Sequence, residues 1–363
     1  PFSYTPAPTT PPPDFSQLQV INRTNLKQLE TLWRFESERQ KKLYFTFADQ
    51  GKQFVYSDVD SIHFMDLASG KIVKTLRLDH VGFEYTYGLW DFVLSLDEHY
   101  LAAIVDPGFV VWDVTTGETL WSQGPFDAIL TDLTFSPNNK YLVSTGIWSE
   151  GETFVWSVAD GSLYRDLNFD QQINAQFSQD GSRLYLVSRG DLPDIAVIDT
   201  QTWKMVDFNH DDDGYDRLGH ALTFSPNEKL AALVGNDLSD IIYLYSTDDW
   251  HFFGDIRDYN YFVDNGTLYP NVYREILASP SFNADGGILA FVAGDASGDI
   301  EQWSMTSWNL EIQFWNPLTQ KILLRYPTGL PAPIRIVKFS PDGRLLAAES
   351  QNGTILFFGV PAK

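Results

Sequence analysis

The stretch Phe339-Ser340-Pro341-Asp342-Gly343-Arg344-Leu345-Leu346 joins one apolar run to a turn and to a second apolar run. The same pattern recurs along the chain, and its seven copies begin at Phe47, Leu94, Phe135, Phe177, Phe224, Phe282 and Phe339. A repeat of about 40–45 residues that holds four strands is typical of a propeller blade. The sequence therefore predicts an all-β fold, a seven-bladed β-propeller of four-stranded antiparallel blades.

The third copy shows the strands of one blade most clearly. The predicted strands are Ala128–Phe135, Tyr141–Ser144, Thr153–Val158 and Ser162–Leu167. Pro137, Asn138 and Asn139 favour a turn between the first two strands, because Pro presets φ and Asn tolerates the left-handed conformation. Asp160-Gly161 is a hairpin signal between the last two strands.

The seventh copy ends after its third strand, at Leu356–Val360. A segment near the other end of the chain, Leu29–Phe35, reads like the outer strand Lys71–Leu78 of blade one. An open ring of sheets would leave two unprotected edges. We therefore expect Leu29–Phe35 to complete blade seven and close the ring, with an irregular N-terminal extension as the alternative.

Trp112-Asp113 ends one of the predicted strands, and a similar strand and polar turn recur in the other copies. These features resemble the WD-repeat β-propeller family over residues 25–361, and Trp-Asp is that family's signature dipeptide. No copy has the Gly-His pair that the family places before the first strand, so the chain resembles a divergent member. The Pro/Thr-rich first residues make it similar to a bacterial-like exported member. The resemblance implies a scaffold whose ligands dock on the upper face, where the blade-to-blade loops and the loops between second and third strands lie.

Composition limits the partners. The net charge is −23, which repels nucleic-acid backbones and anionic lipid. No run of about 18 apolar residues is present, so no membrane span is predicted. The chain has no Cys, which excludes disulfides, thiolate metal sites and a Cys nucleophile.

Residues 1–24 differ in composition from the repeats. The segment Pro1–Pro13 holds five further Pro residues among Thr, Ala and Ser: Pro6, Pro8, Pro11, Pro12 and Pro13. This composition is typical of a stiff linker. We expect a linker over 1–24 and one propeller domain over 25–363. A Pro/Thr-rich spacer before an acidic propeller resembles exported proteins tethered at the cell surface, so an extracellular or cell-surface location is predicted, with a cytoplasmic one as the alternative.

Two insertions, 258–280 and 294–310, lengthen the spacing around blade six. Loops of this length are usually functional or disordered, and these are rich in aromatic residues. Tyr and Trp supply large contact areas with a polar group, although a satellite core beneath the loops is the alternative. The predicted binding residues on the upper face are Trp148, Tyr259, Tyr261, Tyr269, Tyr273, Trp303 and Trp308.

An acidic stretch follows blade four. Oxygen-bearing residues at alternate positions, followed by Gly214, match the first half of a calcium loop. The twelfth position of such a calcium loop normally holds a Glu ligand, and here it holds His220. A solvated acidic loop is therefore the alternative. The candidate metal ligands are Asn209, Asp211, Asp213 and Asp216. No other cofactor is predicted.

Enzymatic patterns are incomplete. Val111–Trp121 resembles the tryptophan-docking motif of quinoprotein dehydrogenases, but it is intact once. There is no Gly-x-Ser-x-Gly elbow, and the six His residues lack zinc-type spacing. The sequence thus favours a non-catalytic scaffold that binds a protein partner or itself through an aromatic, acidic upper face. A propeller that binds a small ligand or glycan, with calcium or with hydrolytic activity, is the alternative.

Overall fold

The chain folds into a ring of β-sheets in a computed structural model. The structure describes residues 11–36, 43–78, 88–147, 153–169, 172–188, 195–209, 219–235, 242–248, 250–256, 263–264, 267–268, 272–276, 280–299, 304–330, 334–350 and 352–362. Seven antiparallel sheets correspond to the seven sequence copies, which confirms the predicted seven-bladed β-propeller.

The first strand of each blade is the innermost one, since the first strands of neighbouring blades contact each other around the central channel. The other strands of the blade follow outward in order. Blade 1 contains Phe45–Ala48, Gln53–Ser57, Ser61–Asp66 and Lys71–Arg77; blade 2 contains Leu89–Leu94, Tyr100–Val105, Gly108–Asp113 and Thr119–Gln123; blade 3 contains Ile129–Phe135, Tyr141–Ile147, Phe154–Ser157 and Leu163–Asp166. Blade 4 contains Gln172–Phe177, Arg183–Ser188, Ile195–Asp199 and Lys204–Asn209; blade 5 contains Gly219–Phe224, Leu230–Gly235, Ile242–Ser246 and Phe252–Ile256.

The last two blades depart from this plan. Blade 6 contains Val272–Ile276, Ser281–Phe282, Leu289–Asp299, Ser304–Asn316 and Lys321–Pro327, and blade 7 contains Ile334–Phe339, Leu345–Ser350, Thr354–Pro361 and Glu30–Glu36. A separate small hairpin pairs Val263–Asp264 with Thr267–Leu268. Short 3₁₀ turns lie at Leu26–Gln28 and Asp49–Gly51, and Leu18–Gln19 pairs with the end of the last strand.

The N-terminal strand closes the ring as predicted. Glu30–Glu36 pairs antiparallel with Thr354–Pro361, and Thr31 lies opposite Phe358. Trp33 and Phe35 of this strand are buried, and the Trp33 ring packs 4.9 Å from that of Phe357. Blade 7 is therefore built from both ends of the chain.

The hydrophobic core is divided among the junctions of the ring. The described buried residues form seven clusters, and each cluster draws mainly on two neighbouring blades. Strands in this ring are apolar on both faces, since each sheet is covered by a blade on either side. This explains why the second and third strands read as continuous apolar runs instead of alternating ones.

The repeated sequence pattern is a hydrogen-bonded turn between the first and second strands. Ser340 donates its hydroxyl to the Asp342 carboxylate at 2.6 Å, and its Oγ accepts the backbone N–H of Leu345 at 2.9 Å. In blade 3, Ser136 makes the same two bonds, to Asn138 and Tyr141. The repeat therefore encodes a turn whose buried Ser satisfies the backbone where the chain reverses.

Part of the predicted linker packs on the ring. The Phe15 ring lies 6.4 Å from that of Trp33, and Ile21 is fully buried. The carbonyl of Ile21 accepts a hydrogen bond from Asn283 of blade 6, while its N–H donates to Gly343 of blade 7. Residues 15–24 thus run along the turns of two blades before the closing strand begins.

The insertion at 294–310 lengthens two strands. Leu289–Asp299 and Ser304–Asn316 form a hairpin about twice as long as those of the other blades. Val272–Ile276, from the other insertion, pairs with the extension and makes it three-stranded. The extension leaves the ring at the end where second and third strands are joined, which is the upper face.

The single tryptophan-docking motif joins blade 2 to blade 3. The Trp121 indole donates a hydrogen bond to the Val158 carbonyl at 2.8 Å, and Gln123 donates to the Gly161 carbonyl at 2.7 Å. Gly161 has a φ of +71°, and a Cβ placed there would lie 2.6 Å from the Trp121 ring. The outer strand of one blade is therefore held against the outer turn of the next.

We expect Gly161→Ala to lower the free energy of unfolding by more than the roughly 1–2 kcal/mol that left-handed φ alone costs an L-residue, because the new methyl would also displace Trp121. Gly329→Ala is the matched control, since Gly329 has a similar φ of +63° with no atom near its Cβ position. Denaturant unfolding of both variants measures the difference. Equal losses would show that the Trp121 contact contributes nothing.

Candidate functional site on the upper face

Most of the predicted site residues lie outside the described part of the chain. This holds for Trp148, Tyr259, Tyr261, Tyr269 and Trp303, and for the candidate calcium ligands Asp211, Asp213 and Asp216. Asn209 ends the outer strand of blade 4, where its backbone pairs with Ile195. The calcium loop and the aromatic loop surface stay predictions.

Two predicted aromatic positions are brought into one row of the blade 6 extension. Tyr273 lies opposite Ala296 in one pair of strands, and Trp308 lies opposite the same Ala296 in the next pair. The backbone therefore places Tyr273 and Trp308 on either side of Ala296 in one three-stranded sheet, although they are separated by more than thirty residues of sequence.

A different part of the upper face holds a pocket. A cavity of about 410 Å³ lies between blades 2 and 3. Its lining residues are Trp90, Ile104, Asp106, Pro107, Gly108, Ala128, Ile129 and Leu130, of which Asp106 carries the one charge. Trp90 is 46% exposed and Ile129 is 48% exposed, so two large apolar side chains face solvent at this site. Exposed apolar surface that is concave is typical of a binding site.

The pocket walls come from the two kinds of loop that form the upper face. Asp106 and Pro107 join the second and third strands of blade 2, and Ala128 lies in the connection from blade 2 to blade 3. The two loops are joined, because the Phe126 N–H donates to the Pro107 carbonyl at 2.8 Å. Phe126 also stacks on the buried Phe109 ring at 6.0 Å. The pocket is therefore held by packed and hydrogen-bonded loops.

Charged residues line the central channel beside this pocket. Asp91 of blade 2, Asp132 of blade 3 and Lys338 of blade 7 all lie on first strands. The charges of Asp91 and Asp132 both act on Lys338. Because blade 7 adjoins neither blade 2 nor blade 3, these charges act on one another across the centre of the ring.

Asp132 is held by hydrogen bonds from blade 4. Its carboxylate accepts the Asn174 side-chain amide at 2.8 Å and the Ala175 N–H at 2.9 Å. Burial nevertheless raises the pKa of Asp132 to about 7, and the Asp91 charge acts in the same direction. Partial loss of solvation lowers the pKa of Lys338, although the residue keeps exposed surface. Lys338 also donates to the Phe45 carbonyl at 3.2 Å.

Sequence reasoning missed the pocket and the channel acids. Asp91, Asp132 and Asn174 each stand three positions before the residue that begins a sequence copy, and this shared offset was a signal for a common location. Trp90 carries no comparable signal, because the exposure of one residue depends on which neighbours the fold brings to it.

In the part of the chain that the structure describes, no group of three or more His, Asp or Glu side chains is placed to hold a metal ion. Among the same residues, no helix is long and apolar enough to cross a membrane.

The chain is similar in fold to a solved structure, the β-propeller domain of Cps50 (Swd1) from Myceliophteria thermophila. The two share 13% sequence identity with a TM-score of 0.65, over 92% of this chain and 99% of that one. No protein-family model matches the chain, and no curated protein matches it. The similarity supports the propeller fold alone, so function has to be argued from the site.

Proposed function

We propose that this protein is a non-catalytic interaction module that binds a protein segment on its upper face. The observation that carries the proposal is the apolar pocket between blades 2 and 3, flanked by the exposed Trp90 and Ile129. Interfaces concentrate their binding energy in a few aromatic or apolar anchors that fill such pockets. An apolar side chain of the partner would fill this one.

The pocket favours a peptide over the small-ligand or glycan alternative. A glycan presents many hydroxyl groups, and each hydroxyl that loses water needs a hydrogen-bond partner. The described lining offers one carboxylate, Asp106, among apolar side chains. The extracellular or cell-surface location and the calcium loop stay predictions from sequence.

The test selects random peptides that bind the wild-type protein, after the peptides that also bind an Ile129→Glu variant have been removed. We expect the selected peptides to share one apolar residue and to bind Trp90→Ala at least tenfold more weakly, because the truncation removes one wall of the pocket. Leu163→Glu is the control, since Leu163 is a 51% exposed apolar residue on the outer strand of blade 3. Peptides that bind all these variants equally would contradict the proposal.

The aromatic residues of blade 6 provide a competing location on the same face. Because Trp303 and Trp308 are predicted binding residues outside the repeated strand positions, combining Trp303→Ala with Trp308→Ala should abolish partner binding at blade 6 while the ring stays folded. Measuring the selected peptides on this double variant separates the two locations. Loss of binding there, with unchanged binding to Trp90→Ala, would move the site from the pocket to blade 6.

A further inference from the structure

A second cavity lies on the lower face of the ring, where first strands turn into second strands and third strands into fourth. Its volume is about 520 Å³, and it lies between blades 5 and 6. The two blades contact each other there, because a Cβ placed at Gly286 of blade 6 would lie 3.5 Å from the Ser225 Cβ of blade 5. Gln320 of blade 6 also donates to the Phe253 carbonyl of blade 5 at 3.3 Å. The cavity is therefore bounded by two blades that hold each other in place.

The segment that leads into the closing strand contributes Arg23 to this cavity. Its backbone lies in a hydrogen-bonded turn, in which Asn22 accepts the Thr24 N–H at 2.9 Å and Asn25 accepts the Asn22 N–H at 2.9 Å. A Cβ placed at Gly287 would lie 3.2 Å from the Arg23 Nε. The guanidinium therefore lies against the turn of blade 6.

Two cations line the cavity, Arg23 from the N-terminal segment and Lys229 from the turn of blade 5. Among the residues that the structure describes, neither side chain has a hydrogen-bond or ion-pair partner. The described lining also contains two carboxylates, Asp248 and Asp285, and the Asp285 Oδ1 accepts the Gly287 N–H at 2.7 Å. This lining is neutral in total, on a chain whose net charge is −23. An anionic group therefore meets less repulsion here than it meets on average around the chain.

Apolar side chains lie beside the charges in the same cavity. Leu318 is 67% exposed, and Leu230 and Phe253 line the cavity with it. The Leu318 N–H donates to the Asn316 Oδ1 at 3.0 Å, which fixes the turn that carries this leucine. A ligand in the cavity can therefore cover exposed apolar surface and contact cationic side chains at the same time.

We propose that this lower-face cavity binds a carboxylate that is joined to a small apolar group. Arg23 and Lys229 bind the carboxylate, because guanidinium and ammonium groups form charge-assisted hydrogen bonds with it. Leu318 packs on the apolar group. Asp248 and Asp285 repel a ligand with several negative charges, so the site selects a single carboxylate. This site lies on the face opposite to the pocket between blades 2 and 3 and does not depend on it.

The experiment titrates the full chain with three probes, N-acetyl-leucine, N-acetyl-leucinamide and N-acetyl-alanine, by ligand-detected NMR. We expect N-acetyl-leucine to bind at least about threefold more tightly than its neutral amide, because two charge pairs favour the anion although water screens each of them. N-acetyl-alanine should bind more weakly than N-acetyl-leucine, since it covers less apolar surface. Equal affinity of the leucine acid and its amide would overturn the proposal, and so would the absence of binding by N-acetyl-leucine.

Two sources share this chemistry, the carboxyl end of a peptide and a free organic acid. Isocaproate has the same carboxylate and branched alkyl group as N-acetyl-leucine and lacks the acetamido group. Tighter binding of N-acetyl-leucine would support a peptide end, and equal binding would support an organic acid.

Variants assign the preference to the cavity. Arg23→Gln and Lys229→Gln should each reduce the preference for N-acetyl-leucine over its amide. Lys27→Gln is the matched control, because Lys27 is an exposed cation of the same N-terminal segment outside the described lining. Asp248→Asn should raise the affinity for N-acetyl-leucine, which is a gain that loss of folding cannot produce. An unchanged preference in both lining variants, or an equal loss in Lys27→Gln, would overturn the proposal.

Salt adds a readout that a purely apolar site would not change. The Debye length falls from about 30 Å at 0.01 M to about 3 Å at 1 M ionic strength. The preference for N-acetyl-leucine over its amide should therefore shrink over this range, while the affinity for the amide changes little. A preference that stays constant would contradict binding of the carboxylate by Arg23 and Lys229.

Discussion

Deletion of residues 1–36 is expected to abolish cooperative unfolding, whereas deletion of 1–14 is expected to leave a sharp transition. The longer deletion removes the strand that pairs with Thr354–Pro361. It also removes six buried apolar side chains: Leu18, Ile21, Leu26, Leu29, Trp33 and Phe35. At about 1.5–3 kcal/mol for each buried side chain, the loss is on the order of 10 kcal/mol, comparable to the whole stability of a typical domain.

Thermal and denaturant melts of the two deletion variants measure this effect. A peptide of residues 15–36 added to the longer deletion should restore the transition, because the missing strand can pair in trans. The shorter deletion controls for the loss of the Pro-rich segment. Similar melting of the two variants would contradict the role of the N-terminal strand in closing the ring.

The second large effect is expected at a buried ion pair of blade 7 that also contacts the segment leading into blade 1. Arg335 lies 2.9 Å from Glu349, which is fully buried, and the Arg335 guanidinium also stacks on the Tyr44 ring at 5.1 Å. Glu349 accepts the N–H of Leu43 at 3.0 Å, and Arg335 donates to the Leu43 carbonyl at 2.9 Å. The pair therefore binds the segment leading into blade 1 to blade 7.

Removal of one partner leaves an uncompensated buried charge, so Arg335→Met should cost about 3–5 kcal/mol of stability. Combining it with Glu349→Leu should recover part of that loss, because no buried charge is then left. Glu36→Gln is the control, since Glu36 pairs with Arg34 at the surface and exposed pairs contribute about 0–1 kcal/mol. Denaturant unfolding gives the double-mutant cycle, and strictly additive losses would show that the pair is not coupled.

The architecture could be predicted from the sequence because its signals are local. A Ser followed two positions later by Asp or Asn marks the turn after the first strand in five of the seven blades. The hydrogen bonds of Ser340 and Ser136 show why those residue types recur. Strand order follows from such turns, since each one joins neighbouring strands. The pairing of Glu30–Glu36 in blade 7 was predictable for a related reason, as the last blade lacked one strand.

The blade 6 insertions show where local signals become ambiguous. The sequence predicts aromatic loops over 258–280 and 294–310, whereas the structure places Leu289–Asp299 and Ser304–Asn316 in a long hairpin. Val272–Ile276 joins that hairpin from the other insertion. Strand formation there depends on pairing between segments distant in the chain, which no single stretch of sequence specifies.

By itself the sequence determined the number of blades, their strand order and the closing strand, because turns and strand periods depend on neighbours in the chain. The position and the lining of the candidate pocket between blades 2 and 3, in contrast, depend on how the folded blades meet. Trp90 is 46% exposed and lines the pocket together with Ile129 and Leu130 of the next blade, a neighbourhood that only the ring creates. Asp91, Asp132 and Lys338 come from three blades, and their charges act on one another only because the ring brings its first strands around one centre. Asp132 is surrounded by residues that are remote in sequence, and burial among them raises its pKa to about 7.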